Sequence, residues 1–285
     1  MKQIILTVFI LASLTAQDDF VGETFDRGSI NYADRTIQAT GIGFIPVNVI
    51  NAGQARRSAM RIAKQDALRQ LIEIVNGVNV TSETTVSGAM FDDVIKTQVQ
   101  GAIRGARKVG EPKYLSDTSV EVVYEVSMNN ISRALLPMAE RAPVLSYESV
   151  TATGTAAAAA GQGGGAAAAP ASGGVTGIII DGSGLGLRPA MSPRILNQSG
   201  TVLYGPGQYD RDYAAANGVV GYAKTLGQAK ADTRVQGNPL VLRGASASGT
   251  AKTDVIISNA DAGKLVSAGR SAGLLQDCRI MFVLN

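Results

Sequence analysis

The sequence predicts an α+β protein of two small domains, each an antiparallel or mixed sheet with helices packed on one face. Strand-like and helical patterns alternate over residues 36–140 and again over residues 175–285. Between them, residues 153–174 (TGTAAAAAGQGGGAAAAPASGG) carry no charge and no large apolar side chain. Because such a stretch cannot build a core, we expect a flexible Ala/Gly linker between two domains that each have their own core.

The first residues predict export. Lys2 precedes the apolar run Ile4–Leu14, and Ala16 is followed by polar residues. This pattern is typical of a cleavable secretory signal, and the run is shorter than the roughly 20 residues that span a membrane. We therefore expect a signal peptide over residues 1–16, domains over 17–152 and 175–285, and no transmembrane segment. No cysteine follows the apolar run, so we expect no lipid anchor.

The first domain opens with the two elements that the sequence defines best. Residues 36–47 predict a strand, and residues 52–75 predict a helix because they follow a helical period without proline. Small side chains recur at every fourth position of this helix, where they let its backbone approach a sheet closely. This alanine ridge consists of Ala55, Ala59, Ala63, Ala67 and Leu71.

The opposite side of the same helix is basic. We define the basic patch as Arg56, Arg57, Arg61 and Lys64. Two interpretations remain open for it. It is a solvated surface, or it makes an electrostatic contact to a neighbouring subunit or to an acidic polymer of the cell envelope.

Shorter patterns complete the first domain. Residues 78–86 predict a strand, residues 91–101 predict a short helix or strand, and residues 103–113 predict another strand. Residues 118–128 alternate apolar and polar side chains, as a half-buried antiparallel strand does, and residues 130–140 predict a helix. The predicted order is β-α-β-β-β-α.

The second domain mixes short strands and helices. It begins with an apolar run and a glycine-rich turn, continues with a hairpin, and ends with a helix and a strand. The apolar run and the turn cover residues 175–187, and the hairpin covers residues 195–205. Strands are expected over 239–246, 254–257 and 279–284, and helices over 213–217, 225–233 and 259–272.

No residue pattern predicts a catalytic, metal or cofactor site. Histidine is absent, which removes the commonest general base, and the chain has one cysteine. That residue, Cys278, lies in an apolar run, so we expect it to be buried; a reactive thiol is the alternative. The net charge of +3 is small, and neither domain has the dense cluster of Lys and Arg that is typical of nucleic-acid-binding proteins, which argues against nucleic-acid binding.

Three groups of residues nevertheless resemble functional patterns. The glycine-rich segment 181–186 (DGSGLG) resembles a dinucleotide fingerprint, but Pro189 and Pro193 forbid the helix that must follow. Paired carboxylates at Asp92–Asp93 and at residues 210–212 suggest glycoside chemistry, yet both groups stand where acidic residues commonly cap helices or face water.

Residues 36 to about 135 resemble a bacterial family. The strand Ala39-x-Gly41-x-Gly43 and the helix positions Ala59, Ala63, Ala67 and Leu68 are similar to those of the FlgP-like family of outer-membrane-associated and basal-disk proteins, and of the FlgT N-terminal domain. The resemblance implies an exported, non-enzymatic structural protein that self-assembles in a flagellum-associated periplasmic ring or disk.

The resemblance also sets the expected partners and location. A homo-oligomer in contact with other flagellar or outer-membrane proteins is expected, in the periplasm, at the outer membrane or at the cell surface. The alternatives are a periplasmic ligand-binding or cell-wall-acting protein that uses the glycine-rich segment, and a component of an extracellular filament or surface layer.

Overall fold

The computed structural model describes residues 20–45, 51–116, 119–140 and 174–284. The predicted signal peptide and all of the predicted linker except Gly174 lie outside the described residues. The described chain forms a five-stranded and a seven-stranded sheet with helices against them. This confirms the predicted α+β class with two sheet regions. We call the two regions the first unit (residues 20–140) and the second unit (residues 174–284).

The first unit is an antiparallel sheet with strand order β1-β2-β3-β5-β4. Its strands are β1 (Gly22–Phe25), β2 (Gly28–Asn31), β3 (Thr36–Gly43), β4 (Arg107–Tyr114) and β5 (Val120–Ser127). Its helices are α1 (Ala52–Asn76), α2 (Val86–Ala89), α3 (Asp93–Arg104) and α4 (Met128–Ala139).

Helix α1 is fixed at its start and at its middle. The Asn51 side chain caps it by accepting hydrogen bonds from the backbone N–H groups of Gly53 (2.9 Å) and Gln54 (3.3 Å). Farther along, the Asp66 carboxylate accepts the Ile42 N–H of β3 at 2.9 Å. This bond satisfies a strand N–H beyond the end of the β2 pairing, so it fixes the helix against the sheet.

Two expectations for the first unit are wrong. Residues 78–86 do not form a strand of the sheet: Asn79 and Thr85 make an isolated bridge, and the Thr81 hydroxyl accepts the Thr84 N–H at 3.2 Å, which bends the chain. The apolar residues of this segment are buried against the second unit instead. Strands β1 and β2 were not predicted, so the order is β-β-β-α-α-α-β-β-α.

The second unit is a mixed sheet with strand order β8-β7-β11-β10-β6-β12-β9. Its strands are β6 (Ile178–Asp181), β7 (Ile195–Asn197), β8 (Val202–Tyr204), β9 (Gly221–Ala223), β10 (Leu240–Ser248), β11 (Asp254–Ile257) and β12 (Ile280–Val283). Its helices are α5 (Arg211–Asn217), α6 (Leu226–Ala231) and α7 (Asn259–Ala272).

The central strands β6 and β12 run parallel and are buried on both faces. On one face, Ile179, Met281 and Val283 pack with α6. On the other face, Ile180 and Phe282 belong to a hydrophobic core that continues into the first unit.

The two units therefore share one continuous core. Tyr32, in the turn between β2 and β3, packs edge-on against Tyr222 of β9 with 5.8 Å between ring centroids. Backbone bonds also cross the boundary, from Met191 N–H to the Asn79 carbonyl (2.9 Å) and from Ser192 N–H to the Val80 carbonyl (2.8 Å). The domain boundaries stay a prediction, but within the described residues the two units are closely packed together.

Candidate functional site

The alanine ridge lies where α1 crosses β3. All five of its residues are buried, and Ala59, Ala63 and Ala67 are fully so (0 % exposed). The backbones approach so closely that a Cβ on Gly41 would lie 2.1 Å from the Ala63 carbonyl oxygen. A Cβ on Gly43 would lie 2.0 Å from the Ala59 carbonyl oxygen. The small residues of both elements thus permit one close helix–sheet contact.

All four residues of the basic patch are exposed on α1. Arg56 lies over the Tyr114 ring, 5.5 Å from its centroid, and Lys64 lies 5.7 Å from the centroid of Tyr124. Arg57 and Arg61 form no ion pair with any residue of the described ranges. The structure therefore brings two of these cations against the sheet and leaves the other two facing solvent.

A shallow, open groove lies on the surface of α1 and shares Arg61 with the basic patch. It has a volume of about 370 Å³ and is lined by the apolar Ile62 between polar and charged side chains, namely Arg61, Gln65, Asp66 and Arg69. Ile62 is 43 % exposed and supplies the apolar surface of this feature. We call this feature the α1 groove.

An apolar and acidic projection lies at the start of α3. Phe91 is 92 % exposed and Val94 is also exposed, and between them are Asp92 and Asp93. The Asp92 carboxylate caps α3 by accepting the Val94 N–H at 2.8 Å. We call residues 91–94 the acidic knob. The Asp92 carboxylate thus caps a helix and Asp93 is exposed to solvent, which are the structural roles that the sequence analysis considered for this pair.

A buried ionic network joins the two units. The Arg194 side chain donates to Asp254 at 2.8 Å and to the Ser82 hydroxyl at 2.7 Å, and it pairs with Glu83 at 3.0 Å. The Ser82 hydroxyl in turn donates to Asp254 at 2.6 Å. Asp254 is 0 % exposed; burial raises its pKa, while these hydrogen bonds oppose the rise. Sequence reasoning missed this network, since its residues are far apart in the chain.

A cleft between the units gathers three arginines. It has a volume of about 230 Å³ and contains Arg35 from the first unit together with Arg234 and Arg279 from the second. The remaining lining residues are mostly polar or aromatic, including Tyr32, Tyr213, Asn217, Asp232 and Thr233. We call this feature the arginine cleft.

The guanidinium groups of the cleft are held by oxygen atoms that carry no full charge. Arg35 donates to the Ser132 hydroxyl (3.2 Å) and to the Ala215 carbonyl (3.3 Å), and its Nη1 atom is buried without a hydrogen-bond partner among the described residues. Burial, and next the charge of Arg234, lower the pKa of Arg35 to about 10. Arg234 itself donates to the carbonyls of Cys278 (2.7 Å), Gly218 (3.1 Å) and Asn217.

The other residues singled out from the sequence have structural surroundings. Segment 181–186 is a turn after β6, in which Ser183 N–H donates to Asp181 at 3.1 Å, and no helix begins before β7. Asp210 caps α5 by accepting the Tyr213 N–H at 2.7 Å. Cys278 is buried, as expected. The described residues contain no group of three or more acidic or cysteine side chains able to hold a metal ion.

The fold and these features define a mixed α+β protein whose two sheet regions share a hydrophobic core, with polar clusters at their boundary. Residues 177–285 match the family model of the second domain of Tp0624 from Treponema pallidum. The match covers the second unit and leaves the first unit outside it. No curated protein matches the chain significantly. Among the described helices, none combines the length and the apolar character needed to cross a membrane.

Proposed function

We propose that this protein is an exported, non-enzymatic structural component of the bacterial envelope that self-assembles, in a flagellum-associated periplasmic ring or disk. The pattern of residues 1–16 supports export. The resemblance of residues 36–135 to FlgP-like proteins supports the organelle. The single observation that carries self-assembly is a pair of complementary surfaces on the first unit.

The complementary surfaces belong to different segments of the first unit. The basic patch covers residues 56–64 and the α1 groove residues 61–69 of helix α1, whose 25 residues span about 37 Å. The acidic knob follows α2 in the chain. Helix α2 contacts α1, and the N–H of its first residue, Val86, donates to the Val78 carbonyl at 2.9 Å.

The occupant that fits the α1 groove is the acidic knob of a second copy. Phe91 offers a freely exposed ring, and the apolar floor of the groove is Ile62. Asp92 and Asp93 beside that ring would meet the unpaired cations Arg57 and Arg61. Burying an exposed aromatic side chain beside opposite charges is the usual composition of a strong interface contact.

Such a contact is head-to-tail. Each copy would use its groove toward one neighbour and its knob toward the other, which generates a ring when the rotation between copies closes and a filament when it does not. The proposed ring or disk and the alternative filament thus follow from the same contact and differ only in that rotation.

The test is a charge exchange in the full exported chain. Arg57→Glu with Arg61→Glu should abolish assembly in analytical ultracentrifugation, and Asp92→Asn with Asp93→Lys should do the same while keeping an amide cap on α3. Mixing the two charge variants should restore association, because the reversed groove and the reversed knob complement each other. The matched control is Lys230→Glu on α6, which should assemble normally.

A second pair of variants tests the apolar part. Phe91→Ser removes a side chain that contacts almost nothing within its own chain, so we expect loss of assembly with an unchanged melting temperature. Val241→Ser, at an exposed position of β10, is the control. A wild-type chain that stays monomeric at high concentration would contradict self-assembly. Assembly that survives every variant would place the contact elsewhere.

A further inference from the structure

The arginine cleft holds an excess of positive charge. Arg35, Arg234 and Arg279 all line it, and none of the three forms an ion pair with a described carboxylate. The acidic residue in the wall is Asp232, whose carboxylate accepts the backbone N–H of Arg234 at 2.8 Å. Three guanidinium groups against one carboxylate leave the walls with a net charge of two positive units.

Three like charges in a partly buried site repel one another, so their arrangement is unfavourable without a compensating negative charge. The carbonyl groups that hold Arg234 end α5 and supply only partial negative charge. Arg35 keeps a buried nitrogen atom for which the described part of the chain offers no hydrogen-bond partner, and the charge of Arg35 is repelled by that of Arg234. A buried cation that lacks a counter-charge is costly, and a bound anion would remove that cost.

The size of the cleft and the chemistry of its walls limit the class of ligand that it can bind. Its volume of about 230 Å³ is below the roughly 300–1,000 Å³ of pockets for drug-sized molecules. Tyr32 and Tyr213 add aromatic surface, while Asn217 and Thr233 add polar groups that can hydrogen-bond an oxyanion. Guanidinium groups recognise carboxylate and phosphate oxygens through paired hydrogen bonds.

We infer that the arginine cleft binds a small dianion, either a dicarboxylate or a phosphate group, at the boundary between the two units. The ligand would contact Arg279 at the exposed rim and Arg35 and Arg234 deeper in the cleft. Because residues of both units line the site, the ligand would hold the units together. This inference is independent of the proposed assembly, since it concerns a single copy.

The experiment is calorimetric titration of the full chain with succinate and with inorganic phosphate at constant ionic strength. Saturable binding of one of them is expected, and whichever binds more tightly identifies the anion class. Acetate, which carries one charge, should bind at least about tenfold more weakly than succinate.

Two variants with opposite effects make the test specific. Arg279→Gln, at an exposed position, should weaken binding at least about tenfold, because a charged hydrogen-bond donor is lost. Asp232→Asn should strengthen binding several-fold, because it removes the repelling carboxylate and keeps an oxygen for the Arg234 N–H. Arg243→Gln, an exposed arginine outside the cleft, is the control and should bind as the wild type does.

The results that would overturn the inference are equally definite. One is the absence of saturable binding of either dianion at millimolar concentration. Another is binding that Arg279→Gln leaves unchanged or that Asp232→Asn weakens, since the anion would then lie outside the cleft.

Discussion

The variant Gly41→Ala adds one methyl group at one of the two close contacts between β3 and α1. The new Cβ would lie 2.1 Å from the Ala63 carbonyl oxygen and 2.3 Å from the Ala67 nitrogen. Ordinary van der Waals contact begins at 3.4 Å. Both contacted atoms belong to the backbone of α1, so rotating a side chain relieves nothing and the helix must move away from the strand.

The cost of that movement follows from what the helix covers. Overpacking a well-packed core typically costs about 1–3 kcal/mol, and we expect the upper end because a whole helix is displaced. The displaced helix loses contact with the fully buried Val120 and with Val122 of β5. For a chain of this size, about 1 kcal/mol lowers the melting temperature by about 2–4 °C, so we expect a decrease of roughly 6–12 °C.

A matched control makes the same chemical change without the clash. Gly101 lies in α3, and a Cβ built on it meets no atom within 4 Å. Gly101→Ala should therefore raise stability by about 0.5–1 kcal/mol through helix propensity. Calorimetry of both variants in the full chain measures the difference. If Gly41→Ala melts at or above the wild-type temperature, the close contact between α1 and β3 is not as described.

Three further predictions concern the ion pairs and the boundary between the units. Burial raises the pKa of Asp66, but hydrogen bonds, led by that from Ile42 N–H, lower this pKa overall, so the carboxylate stabilises the fold above about pH 4 and this stabilisation is lost in acid. The melting temperature of Asp66→Asn should therefore depend less on pH between about pH 5 and pH 3 than that of the wild type, and an unchanged dependence would contradict this. Arg194→Met leaves Asp254 buried without its cation and should cost about 3–5 kcal/mol in chemical denaturation, so a loss under 1 kcal/mol would refute the network's role. Cleavage at a protease site inserted within residues 153–173 should leave two fragments that co-elute in size-exclusion chromatography and separate only in denaturant, because the two units share a core. Fragments that separate under native conditions would disprove the shared core.

The parts of the fold that the sequence predicted are those determined by local pattern. Helix α7 begins and ends where the sequence placed it, at Asn259 and Ala272, because Ser258 is a cap and Gly273 adopts a left-handed conformation. Strand β11 (Asp254–Ile257) was likewise predicted correctly, since its apolar run is short and buried. In the first unit, the four-residue period of alanines gave the helix that crosses β3.

The parts that failed depend on contacts between distant residues. Strand β1 (Gly22–Phe25) is short and mostly exposed, so it lacks the apolar alternation that identifies a strand. Segment 78–86 has that alternation, but its backbone carbonyls bond to residues 191 and 192 of the second unit instead of to a neighbouring strand. Neither the arginine cleft nor the network at Arg194 has a local signal, because each assembles side chains from both units.

The family match begins at residue 177, but the hydrophobic core contains residues from both sides of that position. Arg194 and Asp254 belong to the matched segment, but two partners of Arg194, Ser82 and Glu83, lie outside it. Tyr222, which is buried, packs against Tyr32 of the first unit. Residues 177–285 alone would therefore expose an apolar face and leave part of a buried ion network unsatisfied. In this chain the first unit supplies that cover, so the stability of the second unit should be tested with both units present.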